Sequence, residues 1–180
     1  MFKKFNPKQD ISGQTQAKSS VQRNIRAKIL DQMPLLEPHI EEILPKKAPL
    51  FIVKCLDRVS ILQINGESLF FQHFDGPFIP NLKLLQKYPD ILPKIQVDRG
   101  AIKFVLKGAD IMCPGVTSKG GNMPDGLEKD QLVCVMAEGK QHALAVGLLS
   151  MSSQEIKTVN KGIGILNMHY LNDGLWATLK

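Results

Sequence analysis

The side chains that could do chemistry are few and scattered. Four histidines (His39, His73, His142, His169) and three cysteines (Cys55, Cys113, Cys134) are spread through 180 residues. None stands in a Cys-x-x-Cys or His-x-x-x-His pair, the spacings that bring two metal ligands to one side of a turn or helix. The histidines therefore read as surface or partly buried residues with a backbone partner, and no metal or cofactor is expected. Cys134 alternates within an apolar strand and reads as core. Cys113 precedes a turn and reads as accessible, but the sequence places no base beside it. Glu41 and Glu42 are adjacent on a helix, point different ways, and read as a solvated face. Gly162-Ile163-Gly164 lacks the third glycine of a dinucleotide fingerprint and precedes a strand. Neither a P-loop nor a Gly-x-Ser-x-Gly occurs. No catalytic constellation emerges, and the expectation is a protein that is not an enzyme.

Charge is the more informative signal. The formal net charge is +6, and residues 1 to 28 hold seven bases (Lys3, Lys4, Lys8, Lys18, Arg23, Arg26, Lys28) against the single acid Asp10. The remaining 16 bases are balanced by 16 acids, so the whole excess sits at the N-terminus. A localised basic region points to an anionic partner, nucleic acid before membrane because no strongly apolar face accompanies it. A solvated lysine-rich leader is the other reading, and charge alone leaves both open. In the second half, Lys103, Lys107, Lys119 and Lys140 stand where they would surround a groove edged by Gly108 and Gly115 and neutralise phosphates. Those glycines equally satisfy turn geometry. Phe70, Phe71, Phe104 and Trp176 are candidates for base stacking, but their apolar neighbours favour core packing.

These residues must be positioned by ordinary elements. The chain is 43% apolar and 22% charged, the balance of a folded domain or two small ones. The longest mostly apolar uncharged run, around Ala143 to Met151, is well short of the ~20 residues that span a bilayer. No long apolar stretch follows MFKKF, which argues against a secretory signal. Three widely spaced cysteines suit reduced thiols in a cytoplasmic protein. Ser19-Ser20-Val21-Gln22 fits a capping box, with Val21, Ile25 and Ile29 forming one stripe and Pro34 ending the helix. A second short helix carries Leu36, Ile40, Ile43 and Leu44 inward. Three strands follow (LFIVKC, VSILQI, SLFFQHF), the last two joined by a tight Asn65-Gly66 turn. The helix NLKLLQKY leads to PDILPK, where two prolines and the loss of periodicity set a boundary between domains at 1–92 and 93–180.

The second domain opens with a strand, IQV, and a helix capped by Asp98 that carries Ala101, Ile102, Val105 and Leu106 on one face and stops at Gly108. Pro114-Gly115 reads as a type II turn, and residues 117 to 126 read as an exposed loop. Two strands (QLVCVMA, HALAVGLLS), a helix with a capping box at Ser152, and a final strand GIGILNMHY complete a small mixed barrel. The fold class is α+β.

At VDRGAIKFVLKGADIMCPGV (97 to 116) the sequence resembles the PUA domain, the RNA-binding module of pseudouridine synthases and archaeosine transglycosylases. AEGKQHALAVG, SSQEIKTVNKGIGI and HYLNDGLW agree with it. MFKKF, PKK at 45 to 47, NGESLFFQ and LLQKYP extend the resemblance, over essentially the whole chain, to the malignant-T-cell-amplified-sequence family. Fungal members of that family are called translation-machinery-associated proteins. The resemblance implies an N-terminal α/β domain followed by a PUA-type pseudo-barrel, and a heterodimer with a density-regulated protein. It also implies binding to the small ribosomal subunit, with roles in tRNA release, reinitiation and non-standard initiation. The groove would be formed by Lys107, Gly108, Ala109, Asp110, Met112, Pro114, Gly115 and Val116, with Lys103 and Lys140 nearby, and would face an RNA 3′ end such as that of tRNA. Lys3, Lys4, Lys46 and Lys47 are assigned to ribosomal RNA on charge. The loop 118 to 129 resembles the family less closely. The rival expectations are an RNA-modification enzyme or its accessory subunit, and a pure protein-interaction module.

Overall fold

The structure, a computed structural model, describes residues 1 to 179. The N-terminal part runs α1 (Pro7–Asp10), β1 (Ile11–Gln16), α2 (Ser19–Gln32), a 3-10 turn (Pro34–His39), α3 (Ile40–Ile43), β2 (Leu50–Cys55), β3 (Val59–Ile64), β4 (Glu67–His73), β5 (Ile79–Pro80) and α4 (Leu82–Lys87). Its five strands form one antiparallel sheet in chain order, with Asn65 and Gly66 at positive φ in the β3–β4 turn. Ile25 and Ile29 of α2 join Leu36, Ile40, Ile43 and Leu44 in the core.

Three details differ from the sequence expectation. Lys18, not Ser19 or Ser20, occupies the N-cap of α2, without a side-chain hydrogen bond. Gln22 turns its amide away from the helix instead, donating to Ala48 O at 2.7 Å and accepting from Leu50 N–H at 3.3 Å, which ties α2 to β2. Val21 is exposed, since the stripe inward of α2 begins only at Ile25. Finally, the lysine-rich start is not a free leader: Phe2 is 1% exposed and β1 pairs with β2.

The C-terminal part runs β6 (Lys94–Val97), α5 (Arg99–Val105), β7 (Ile111–Met112), α6 (Pro114–Thr117), β8 (Leu132–Ala137), β9 (Ala145–Leu149), α7 (Ser153–Val159) and β10 (Ile163–Tyr170), closing with a 3-10 turn at Trp176–Thr178. The sheet order is β6-β8-β9-β10-β7, with β6 parallel to β8 and the other pairs antiparallel, a curled half-barrel. Pro114-Gly115 does not form the type II turn that the dipeptide suggests. Proline opens the helical turn α6, where its missing N–H costs nothing, and Gly115 keeps a negative φ.

Strand β8 explains how the halves are joined. Side chains on a strand alternate between faces. Val133, Val135 and Ala137 pack inside the half-barrel, while Leu132 and Cys134 pack against the N-terminal core. Burial on both faces is why QLVCVMA reads as an almost unbroken apolar run. Ala143, Val146, Leu175 and Leu179 belong to the same joint core as Ile91 and Leu92. At ~1.5–3 kcal/mol for each large apolar side chain removed from water, this contact is a substantial part of the fold.

Candidate RNA-binding site

The site is built around α5. Asp98 caps it, accepting Ala101 N–H at 2.9 Å, and donates its own N–H to Gly115 O at 3.0 Å, which holds α6 beside the helix start. Val105 is buried, and Ala101, Ile102 and Leu106 pack around the same core. Residues off that stripe must face out, and Phe104 does: it is 54% exposed, contrary to the core placement its neighbours suggested. Its ring lies 5.2 Å from Lys103 Nζ, within cation–π range.

Gly108 ends the helix at φ +90, and a Cβ there would stand 3.0 Å from the Tyr170 ring. The turn that follows is fastened to β10 by Asn167. Its amide donates to Val105 O and Ala109 O, each at 3.1 Å, and its backbone N–H donates to the Asp110 carboxylate at 2.9 Å. Sequence reading missed Asn167, because its three partners lie 57 to 62 residues away.

Between α5, the Asp110–Met112 segment and the start of β10 lies an open cleft of about 590 Å³. Gly100, Ala101 and Phe104 form one wall, Ala109, Asp110 and Met112 another, and Gly115 and Ile163 close the end. Met112 and Ile163 are 49% and 42% exposed. Of the residues expected in the groove, Ala109, Asp110, Met112 and Gly115 line it. Lys103, Lys107 and Pro114 are exposed on the elements beside it, and Gly108 sets the turn. Val116 points into the core and offers no surface. Lys119 and Lys140 lie outside the cleft, on the loop after α6 and the β8–β9 turn; a Cβ at Gly139, next to Lys140, would stand 3.3 Å from Arg99 Nη2. Phe104 and Ile163 complete the lining. The signal for Phe104 was present: it is an aromatic on the polar side of an amphipathic helix.

A second basic recess, of about 550 Å³, lies on α2, lined by Arg23, Arg26 and Lys46 over Ala27 and Leu30. Arg26 is held in place, donating to Leu44 O at 3.2 Å and to Glu41 at 2.8 Å, and Glu41 also accepts Lys46 N–H. Lys47 is exposed next to it. Lys3 and Lys4 are exposed too, but Lys4 lines a different depression, so the four lysines assigned to ribosomal RNA on charge are not one patch.

No group of three or more His, Cys, Asp or Glu among the described residues could hold a metal ion. His169 departs from the expected backbone partnership. It is fully buried, with Nδ1 2.7 Å from Asp173 Oδ2, and Asp173 also accepts the N–H groups of Tyr170 and Trp176. Sealed from solvent, this pair positions backbone and does not meet a substrate. Cys113 is buried rather than accessible, and burial raises its pKa; burial pushes Cys55 and Cys134 up to about 11.

A sheet domain fused to a curled half-barrel with an open apolar cleft beside a basic helix defines a two-domain protein of the PUA class. The comparisons agree: residues 5–89 match the Pre-PUA-like domain and residues 93–171 the PUA domain. The hypothetical protein of Pyrococcus horikoshii shares the fold at a TM-score of 0.77 and 22% identity, covering 93% of this chain and 100% of its own. A conserved PUA domain protein of Thermoplasma acidophilum does so at 0.65 and 22%, with the same coverage. At the level of sequence, Translation machinery-associated protein 20 of Schizosaccharomyces pombe is 55% identical over 99% of both chains. Malignant T-cell-amplified sequence 2 of Homo sapiens is 54% identical over 98% of this chain and 97% of its own. The chain belongs to the family of malignant T-cell-amplified sequence and translation machinery-associated proteins.

Proposed function

We propose that this protein is a non-enzymatic, RNA-binding translation factor of the cytoplasm that acts on the small ribosomal subunit. It works with a density-regulated-protein partner in tRNA release, reinitiation and non-standard initiation. The carrying observation is the cleft beside α5: an exposed aromatic ring with Lys103 on the same helix and Lys107 in the turn after it, and apolar walls with room for an unstacked base. A single-stranded 3′ end such as that of tRNA suits it, because its terminal bases are free to stack and its phosphates can meet Lys103 and Lys107. The mechanism is positional. The cleft holds or displaces the acceptor end, while the α2 recess with Arg23, Arg26, Lys46 and Lys47 gives ribosomal RNA a set of phosphate contacts.

The test is binding of a short RNA ending in CCA, followed by fluorescence anisotropy across a salt series. Phe104→Ala is expected to weaken binding about five- to a hundredfold, the worth of one stacked base, with an unchanged melting temperature. Lys107→Glu is expected to lower the salt slope by about 1. Binding indifferent to both substitutions removes the cleft from the function, and turnover of RNA by the purified chain would replace this reading with an RNA-modifying enzyme.

A further inference from the structure

A third depression is separate from the cleft of α5 and the recess of α2. About 1220 Å³ in volume, it lies where the two domains meet, between the first turn of the chain, the β3–β4 hairpin and the C-terminal segment. Among the described residues, Lys4, Lys8 and Lys83 line it against a single acidic side chain, Glu67, with Phe5 and Leu179 as apolar surface. Lys83 is anchored, its ammonium donating to Leu179 O at 2.5 Å and lying 5.7 Å from the Trp176 ring centroid.

Ile11, which also lines this depression, is the first residue of β1, so the depression runs directly onto that strand. β1 has two unusual properties. All six of its residues are exposed, and none of them belongs to a core cluster. It is also an edge strand that carries neither charge nor proline (Ile-Ser-Gly-Gln-Thr-Gln), two of the devices by which natural edges repel other strands, and its one register irregularity lies between Ile11 and Gly13, before the regular stretch Gly13–Gln16. The open edge can be assigned by residue. Ala17 N–H donates to Leu50 O at 2.8 Å, so by antiparallel alternation Thr15 bonds to β2 while the N–H and C=O groups of Gln14 and Gln16 point away from it. Among the described residues, no strand pairs with that side.

We infer that the β1 edge and the adjoining basic depression together dock an extended, acidic segment of a partner protein, which adds a sixth strand beside β1 and lays its carboxylates against Lys4, Lys8 and Lys83. Peptide is the occupant that both features fit. The free edge alternates donors with acceptors, which another peptide backbone matches and a phosphodiester, an acceptor only, does not. This surface is independent of the α5 cleft, so it stands or falls separately from RNA binding.

The experiment is an NMR titration of the full chain with a synthetic peptide of about ten residues, a span of ~33 Å as a strand, alternating glutamate and valine. Its controls are a lysine-valine peptide and a single-stranded RNA oligonucleotide. The acidic peptide is expected to shift the amides of Gln14, Gln16 and Lys83 and to slow hydrogen exchange at Gln14 and Gln16. Gln14→Pro, which deletes an outward donor without touching the β2 ladder, is expected to weaken it at least about tenfold with an unchanged melt, and Lys8→Glu to do the same without altering the backbone. Shifts confined to other surfaces, no shift at all, or stronger perturbation of these amides by the RNA or the lysine peptide would overturn the assignment.

Discussion

At the scale of single residues, burial separates the groups that act from those that only pack. Phe104 is exposed on a helix whose other large apolar residues face the core, so its ring is free for a ligand at little cost to stability. The cysteines sit at the other extreme. Desolvation raises the Cys55 and Cys134 thiols to about 11, so both remain protonated and unreactive at neutral pH. An unfolded thiol ionises near ~8.5. Between those values the unfolded chain has released protons that the folded chain still holds, so raising the pH favours unfolding. The expected outcome is a stability that is flat in this contribution below about pH 8 and declines from there to about pH 11. Urea midpoints measured at intervals over that range check it, with Cys134→Val as the control: the variant should lose part of the slope, and an identical slope would dissociate Cys134 from it. Alkylation at pH 8 should modify neither thiol in the native protein and both in urea.

At the scale of elements, what could be read depended on whether the determinants were local. Strands β2, β3 and β4, the Asn65-Gly66 turn, the Asp98 cap and the Gly108 stop follow from patterns a few residues long, and each appears in the structure, whereas the polar edge strand β1 and the two-residue β5 carry no such pattern and were not read. Where a distant partner decides, local pattern failed. Gln22 gave up its place in a capping box because Ala48 and Leu50 offered it bonds, and Pro114-Gly115 became helical next to the start of α5. In the cleft, Ala109, Asp110 and Met112 were legible, but Asn167 was not, since nothing near it in sequence announces that it clamps the far side. The cap of α5 gives a direct test. Asp98 holds both the helix N-terminus and the link to Gly115. Asp98→Ala should cost ~0.5–2 kcal/mol and, by loosening the wall that carries Phe104, should weaken RNA binding as well. Calorimetry and anisotropy on the same sample decide this: lost stability with unaltered affinity would mean that the cleft does not depend on the cap.

At the scale of the whole molecule, the extreme N-terminus binds the two domains together. Phe2 packs edge-on against Phe71 of the first sheet at 4.9 Å and against His169 of β10 at 6.2 Å, and its carbonyl accepts Gly174 N–H at 2.7 Å. A side chain at position 174 would collide with that backbone, a Cβ standing 2.5 Å from Phe2 O, so the close approach requires glycine there. The buried His169–Asp173 pair lies just behind and fixes the turn from Tyr170 to Trp176 that receives Phe2. Phe2 thus belongs to the joint core, although in sequence it directly precedes Lys3 and Lys4. Phe2→Ala should therefore behave as a core deletion and not as a trimmed tail, costing ~3–5 kcal/mol. It should also free the first turn of the chain, so the depression lined by Lys4 and Lys8 would lose its shape while the α5 cleft, on the other side of the half-barrel core, would keep its own. Urea unfolding supplies the energy, and amide shifts at Lys83 and Phe104 report the two surfaces separately. A loss below about 1 kcal/mol, within the range of ordinary surface substitutions, would show that the domains hold together through β8 and the C-terminal segment alone.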